Sequence, residues 1–121
     1  MKTITSTIIA STLLASTLFA PTLFGGATGG PRSAHHHVEA YSTDVFNIWF
    51  ECGEPAEIVV SGDGDTDLDL EVVDSYGDVI VSDTDSTDFC VVRFWPSRTA
   101  CYKIRVKNLG SVYNAYYIET N

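Results

Sequence analysis

Carboxylates dominate the side chains of this sequence that are capable of chemistry. Asp63, Asp65, Asp67 and Asp69 recur at every second position, and a second run carries Asp83, Asp85 and Asp88. A hard cation such as Ca2+ takes about six to eight oxygen ligands. Alternate carboxylates on one strand share a face, a turn adds backbone carbonyls, and the second run closes the shell. The seven aspartates are therefore candidate calcium ligands. Their D-x-D-x-D opening is that of a calcium loop but not of an EF-hand, because Leu68 stands at the sixth position and no helices flank it. A competing reading needs no ion: aspartates cap turn amides through their own side chains, which accounts for Asp63 and Asp74.

Catalytic parts are missing. The sequence has no G-x-S-x-G elbow, no C-x-x-C, no H-E-x-x-H and no phosphate-binding glycine loop. Its histidines are the adjacent His35, His36 and His37. Three imidazoles in a loose segment bind Zn2+ or Cu2+ weakly, without shaping a site. Paired carboxylates are the remaining catalytic option, as in glycoside hydrolysis. With sixteen acids in the chain, chance proximity explains such pairs, so the expectation is that the protein is not an enzyme.

The elements that position these residues follow from the whole chain, whose 121 residues suit one domain. Lys2 precedes a charge-free stretch from Ile4 to Phe24, and Gly25-Gly26-Ala27 offers a cleavage site. Residues 1–27 read as a signal peptide rather than an anchor, because Ser, Thr and Pro21 interrupt the apolar run. Cleavage after Ala20 also fits, but exposes Pro21. The exported form is expected to be secreted or periplasmic, without a membrane span. Fifteen acids and no Lys or Arg lie between Glu39 and Asp88, and five bases and no acid between Arg93 and Lys107. Such acidity argues against a nucleic-acid partner, which requires clustered positive charge. Cys52, Cys90 and Cys101 leave an odd thiol in an oxidising compartment. Inward parity favours a Cys52–Cys90 bridge, with Cys101 outward and left over.

Residues 28–43 hold Gly29-Gly30-Pro31 and the histidines without apolar periodicity, and read as a flexible linker. Beyond them the period is two. Phe46, Ile48 and Phe50 alternate with wetter neighbours, as do Ile58 and Val60; Leu68, Leu70 and Val72; Cys90, Val92 and Phe94; Tyr102, Ile104 and Val106; and Tyr116 and Ile118. This alternation marks strands with one buried face. Val79 to Val81 is a shorter strand, and Gly- and Asp-rich turns punctuate the set. Seven short strands predict an all-β, antiparallel sandwich over residues 44–121, with a small barrel as the alternative.

The run Ser61 to Gly77, the segment Asp83 to Cys90, Trp95-Pro96, Tyr102 to Asn108 and the ending Val112 to Asn121 together resemble the bacterial pre-peptidase C-terminal domain family. The likeness spans residues 44–121. It implies a jelly-roll-like sandwich of about seven to eight strands, a module attached to secreted proteins and often to proteases. Some members are substrate-binding, and some bind calcium. No peptidase precedes the domain in this sequence, so a role as protease appendage is not the expectation here.

Two further groups complete the reading. Lys103, Arg105 and Lys107 face outward with Arg93 beside them; pairing with Asp67, Asp69 and Glu71 is favoured over a basic patch for an anionic partner. Trp49, Trp95, Tyr113 and Tyr117 are candidate ligand-binding aromatics, against the simpler role of covering the edge of the core. The function this supports is a non-catalytic exported module that recognises an extracellular or envelope protein or polysaccharide, stabilised by calcium where that site forms. A structural or accessory partner of another secreted protein is the alternative, and a carboxylate-based hydrolase the remote one.

Overall fold

The computed structural model describes residues 27–121, so all but the last residue of the expected leader lies outside it. Eight strands carry these residues: β1 (Arg32–Val38), β2 (Thr43–Phe50), β3 (Ala56–Ser61), β4 (Leu68–Val73), β5 (Val79–Asp83), β6 (Phe89–Phe94), β7 (Ala100–Asn108) and β8 (Asn114–Thr120). They form two antiparallel sheets in the orders β1-β8-β3-β6 and β2-β7-β4-β5. Each strand is followed in sequence by one in the opposite layer, apart from the β4–β5 hairpin, which gives a jelly-roll sandwich.

The period-two pattern decides which side chains meet. From the first sheet, Val38, Ile58, Val60, Cys90, Val92, Phe94, Tyr116 and Ile118 point inward. From the second, Ile48, Phe50, Leu68, Leu70, Val72, Tyr102, Ile104 and Val106 answer them. Phe50, Phe94 and Tyr102 stack edge to face with centroids 5.3–6.1 Å apart and fill one end of the core. Such edge-to-face pairs add to the burial of the rings themselves.

The stretch expected to be a linker is structured instead. β1 pairs with β8 from Arg32↔Thr120 to Val38↔Asn114. Ala27 bridges Phe50 and its amide donates to Asn121 O at 2.9 Å. Polar histidines hid the alternation: Ala34, His36 and Val38 face the core side, where His36 packs its ring 5.0 Å from Phe46.

The proposed Cys52–Cys90 bridge is not formed, and all three cysteines are free thiols. β2 ends at Phe50, so Cys52 leaves its parity and sits in a turn, where its amide donates to Thr99 Oγ1 at 2.9 Å. Cys90 lies at the opposite end of β6, with its thiol on Leu68 O at 3.2 Å. The four residues from Cys90 to Phe94 span roughly 13 Å of strand. A disulfide tolerates a Cα separation of only about 7 Å.

Candidate functional site

Antiparallel order gathers the β1–β2, β3–β4, β5–β6 and β7–β8 loops at one end of the sandwich. Two buried asparagines hold them there. Asn108 donates through Nδ2 to Val38 O, Glu39 O and Val112 O at 3.2, 3.2 and 2.8 Å, and accepts from the Gly110 amide at 2.9 Å. Asn114 donates to Thr66 O, Thr66 Oγ1 and Asp88 Oδ2, and accepts from the Asp63 amide at 3.1 Å. Both sit at inward parity, where an amide side chain must be hydrogen-bonded to be tolerated. Gly110 lies so close to Thr66 that a Cβ there would drive into its side chain.

On this frame Tyr41 adopts an uncommon conformation. Glu39 to Ser42 is a four-residue turn closed by Ser42 N donating to Glu39 O at 3.1 Å, and Tyr41 takes its third position with φ 55°. That position favours Gly or Asn, because a Cβ is crowded at positive φ. The Tyr41 amide donates to Gly110 O at 3.1 Å, tying the turn to the β7–β8 loop. Its side chain is 74% exposed. Leu109, Val112 and Tyr113 of that loop are each about half exposed, so four large apolar side chains stand on two joined loops. The His37 ring lies 5.5 Å from that of Tyr113.

The acidic loops flank this patch, and most of their carboxylates are engaged. Asp63 accepts from the Asp65 and Ala115 amides at 3.0 and 2.8 Å. Asp83 accepts from the Asp85 and Val91 amides, Asp85 from Thr87, and Asp88 from Gly64 N at 2.6 Å and from Asn114. Gly62 passes so near Asp88 that a Cβ would displace that carboxylate. Asp65 is exposed. By contrast, Asp67 Oδ1 and Asp69 Oδ1 are shut from solvent without a hydrogen-bond partner. Burial pushes the Asp67 carboxyl above its ordinary value, and Asp85 and Asp88 add to the shift. Burial raises Asp69 likewise, with Asp67 adding to it and Lys107 opposing it. The donors are the hard oxygens calcium prefers, and two are bare. Among the described residues no three His, Cys, Asp or Glu side chains converge on a metal position.

The sequence-expected aromatics separate. Trp49 and Trp95, 53% and 69% exposed, stand towards the far end of the sandwich, where Cys52 Sγ contacts Ser97 O. Neither covers the core. Tyr113 belongs to the loop patch and is exposed rather than sealing the sandwich. Tyr117 lies on the outer face of β8, its ring 4.6 Å from His35. The basic strand is paired in part as expected: Arg105 and Lys107 meet Glu71 at 3.1 and 3.5 Å, whereas Arg93 meets Glu57 at 2.7 Å rather than one of the acids expected for it. Tyr41, Leu109, Val112, Asn108 and Asn114 were not singled out from the sequence. Parity extends to both asparagines and is the signal for them; Tyr41 sits in the stretch read as linker.

No known family's sequence profile matches the chain, and no curated protein sequence does. Solved structures do. The pre-peptidase C-terminal domain of a collagenase from Bacillus anthracis superposes with a TM-score of 0.64 at 10% identity, covering 74% of this chain and 88% of that one. A periplasmic inhibitor of g-type lysozyme from Aeromonas hydrophila superposes with a TM-score of 0.57 at 12% identity, covering 75% and 84%. At these identities the likeness shows the sandwich fold alone, the fold the resemblance implied. Among the described residues no helix is long and apolar enough to cross a membrane.

Proposed function

We propose that the protein is a non-catalytic, exported binding module that grips another protein through the loop end carrying Tyr41, Leu109, Val112 and Tyr113. One observation carries this reading: Tyr41 keeps a bulky aromatic at positive φ and in solvent, where glycine is the unstrained choice. Conformational strain of this kind clusters at functional sites, and contiguous exposed apolar side chains with a polar rim mark interaction surfaces. The acidic rim and the net charge of −9 favour a partner with a basic face. The inhibitor of g-type lysozyme offers a precedent for this fold in acting on another protein. Calcium enters only as a stiffener of the acidic loops at Asp67 and Asp69, and holds no part of the partner.

The test is capture of exported proteins on the immobilised chain, with Tyr41→Ala/Tyr113→Ala as the paired control. A specific basic protein retained by the parent chain and lost by the double variant supports the reading. Equal capture by both, or binding confined to polysaccharides, refutes it.

A further inference from the structure

We propose that the outer face of the β1-β8-β3-β6 sheet is a stacking platform for an extended, uncharged β-1,4-linked polysaccharide, held by the rings of Tyr117 and Phe89. The inference is independent of the loop end, and either can fail without the other. The strand register carries it. His35 stands opposite Tyr117, Tyr117 opposite Ser61, and Ser61 opposite Phe89, so one row crosses all four strands. The chain neighbours Val60, Cys90, Tyr116 and Ile118 fill the core, and alternation turns this row outward. Phe89 is 54% exposed, and the half-buried Tyr117 is steadied by the His35 ring at 4.6 Å. Val59 and Val91, paired in the adjoining row, extend the apolar floor.

Size and charge decide what this face can take. The row spans about 14 Å across the strands and the face about 13 Å along them, a few hundred Å2. Each partner of a stable protein complex buries about 800 Å2, so the face is too small for a second copy or another globular protein. A single extended glycan is narrow enough. Tyr117 and Phe89 are two strands apart, about 9.6 Å, which suits alternate sugars of an extended β-1,4-linked chain. The electron-rich faces of aromatic rings attract the polarised C–H bonds of a sugar ring. Ser61 sets a hydroxyl, both donor and acceptor, between the rings, and the exposed Glu119 beside Val59 accepts from sugar hydroxyls. The outward positions of the four strands carry two acids, Glu57 and Glu119, and one base, Arg93, which is paired with Glu57 at 2.7 Å. The face is therefore nearly neutral in a chain of net charge −9, which suits an uncharged ligand and repels an anionic one.

Titration calorimetry of the full chain with cellohexaose, chitohexaose and hexagalacturonate tests this. The two neutral hexasaccharides should bind one per chain, and the anionic one should not. Phe89→Ala and Tyr117→Ala should each weaken binding about tenfold, equivalent to about 1.4 kcal/mol. Tyr117→Leu keeps apolar bulk without the ring and should lose as much, with circular dichroism reporting the fold of each variant. Trp49→Ala removes an exposed ring from the other sheet and should leave affinity within about twofold. No binding of either neutral hexasaccharide by the parent chain overturns the proposal. So does an equal loss on changing Trp49, which would mean that any exposed ring serves, or a dimer in solution that Phe89→Ala dissociates, which would mean that a second copy covers the face.

Discussion

Replacing Tyr41 by glycine should stabilise the domain while weakening its grip on a partner. A non-glycine residue in the left-handed region costs about 1–2 kcal/mol. Glycine removes that cost but adds freedom to the unfolded chain, which offsets roughly 0.4–1 kcal/mol. The side chain contributes little in either direction: it is 74% exposed, and an unfolded chain already buries a comparable fraction of its surface. The net gain is then about 0.5–1 kcal/mol, or roughly 2–8 °C in melting temperature for a domain of this size. Tyr41→Ala separates backbone from side chain, because it keeps the strained φ of 55° and loses the ring. Thermal melts of the three proteins should rank glycine above the parent and alanine near the parent, and both variants should lose partner binding. A glycine variant that melts at or below the alanine variant would sink the strain argument, and with it the main reason for assigning function to this turn.

Other consequences follow from the same structure. Tyr116 donates to Asp44 Oδ2 at 2.6 Å from a buried position, and burial first, then Asp44, holds its hydroxyl well above the ordinary value, so it stays protonated. Tyr116→Phe should cost about 1.5–3 kcal/mol in denaturant titration, the range for hydrogen bonds to charged groups; a change under about 0.5 kcal/mol would mean the bond contributes nothing net. Asp67 and Asp69 are raised above 3.8 in the folded state, so the native chain holds their protons more tightly than the unfolded chain. Their contribution to stability is present below that ordinary value and lost as pH rises through the raised one. Asp67→Asn should therefore raise the melting temperature at pH 7 and lose that advantage near pH 3, and an unchanged gain at both pH values would exclude a charge effect. Millimolar calcium should raise the parent melting temperature and leave Asp67→Asn/Asp69→Asn unmoved; a flat calcium titration of the parent leaves these carboxylates an internal cost only. Ala27 is buried and bonded to Asn121 O at 2.9 Å, so cleavage after it would open the core edge. Mass spectrometry of the chain purified from its native host should find an N-terminus upstream of Ala27, and one at Thr28 contradicts this.

Most of the fold was legible because one rule governed it. Wherever Val, Ile, Leu and Phe alternated with polar residues, as at Leu68 to Val72 or Tyr102 to Val106, the strand and its buried face both followed. β1 escaped because its inward positions are Ala34, His36 and Val38, and a histidine packed on Phe46 does not register as apolar. Cys52 misled for a related reason: parity runs only as far as the strand, and the turn after Phe50 resets it. The acidic run was visible, but its use was not. Side chains that cap their own loops and side chains that await a cation share the same spacing, and only the hydrogen-bond geometry separates Asp63 and Asp88 from Asp67 and Asp69. Tyr41 had no sequence signal at all, since positive φ in a tyrosine comes from the loop it is bonded to.

The two asparagines connect these points to recognition. Loops at a sandwich end would otherwise be ordered by the partner, and ordering costs about 0.5–1.5 kcal/mol for each immobilised rotamer-rich side chain. Asn108 joins the β1–β2 turn to the β7–β8 loop through four hydrogen bonds, and Asn114 joins the latter's far side to both acidic loops. Folding has therefore already fixed the backbone beneath Tyr41, Leu109, Val112 and Tyr113. What stays solvated is a set of large side chains on a rigid base, so a partner that covers them gains their burial without having to order the loops.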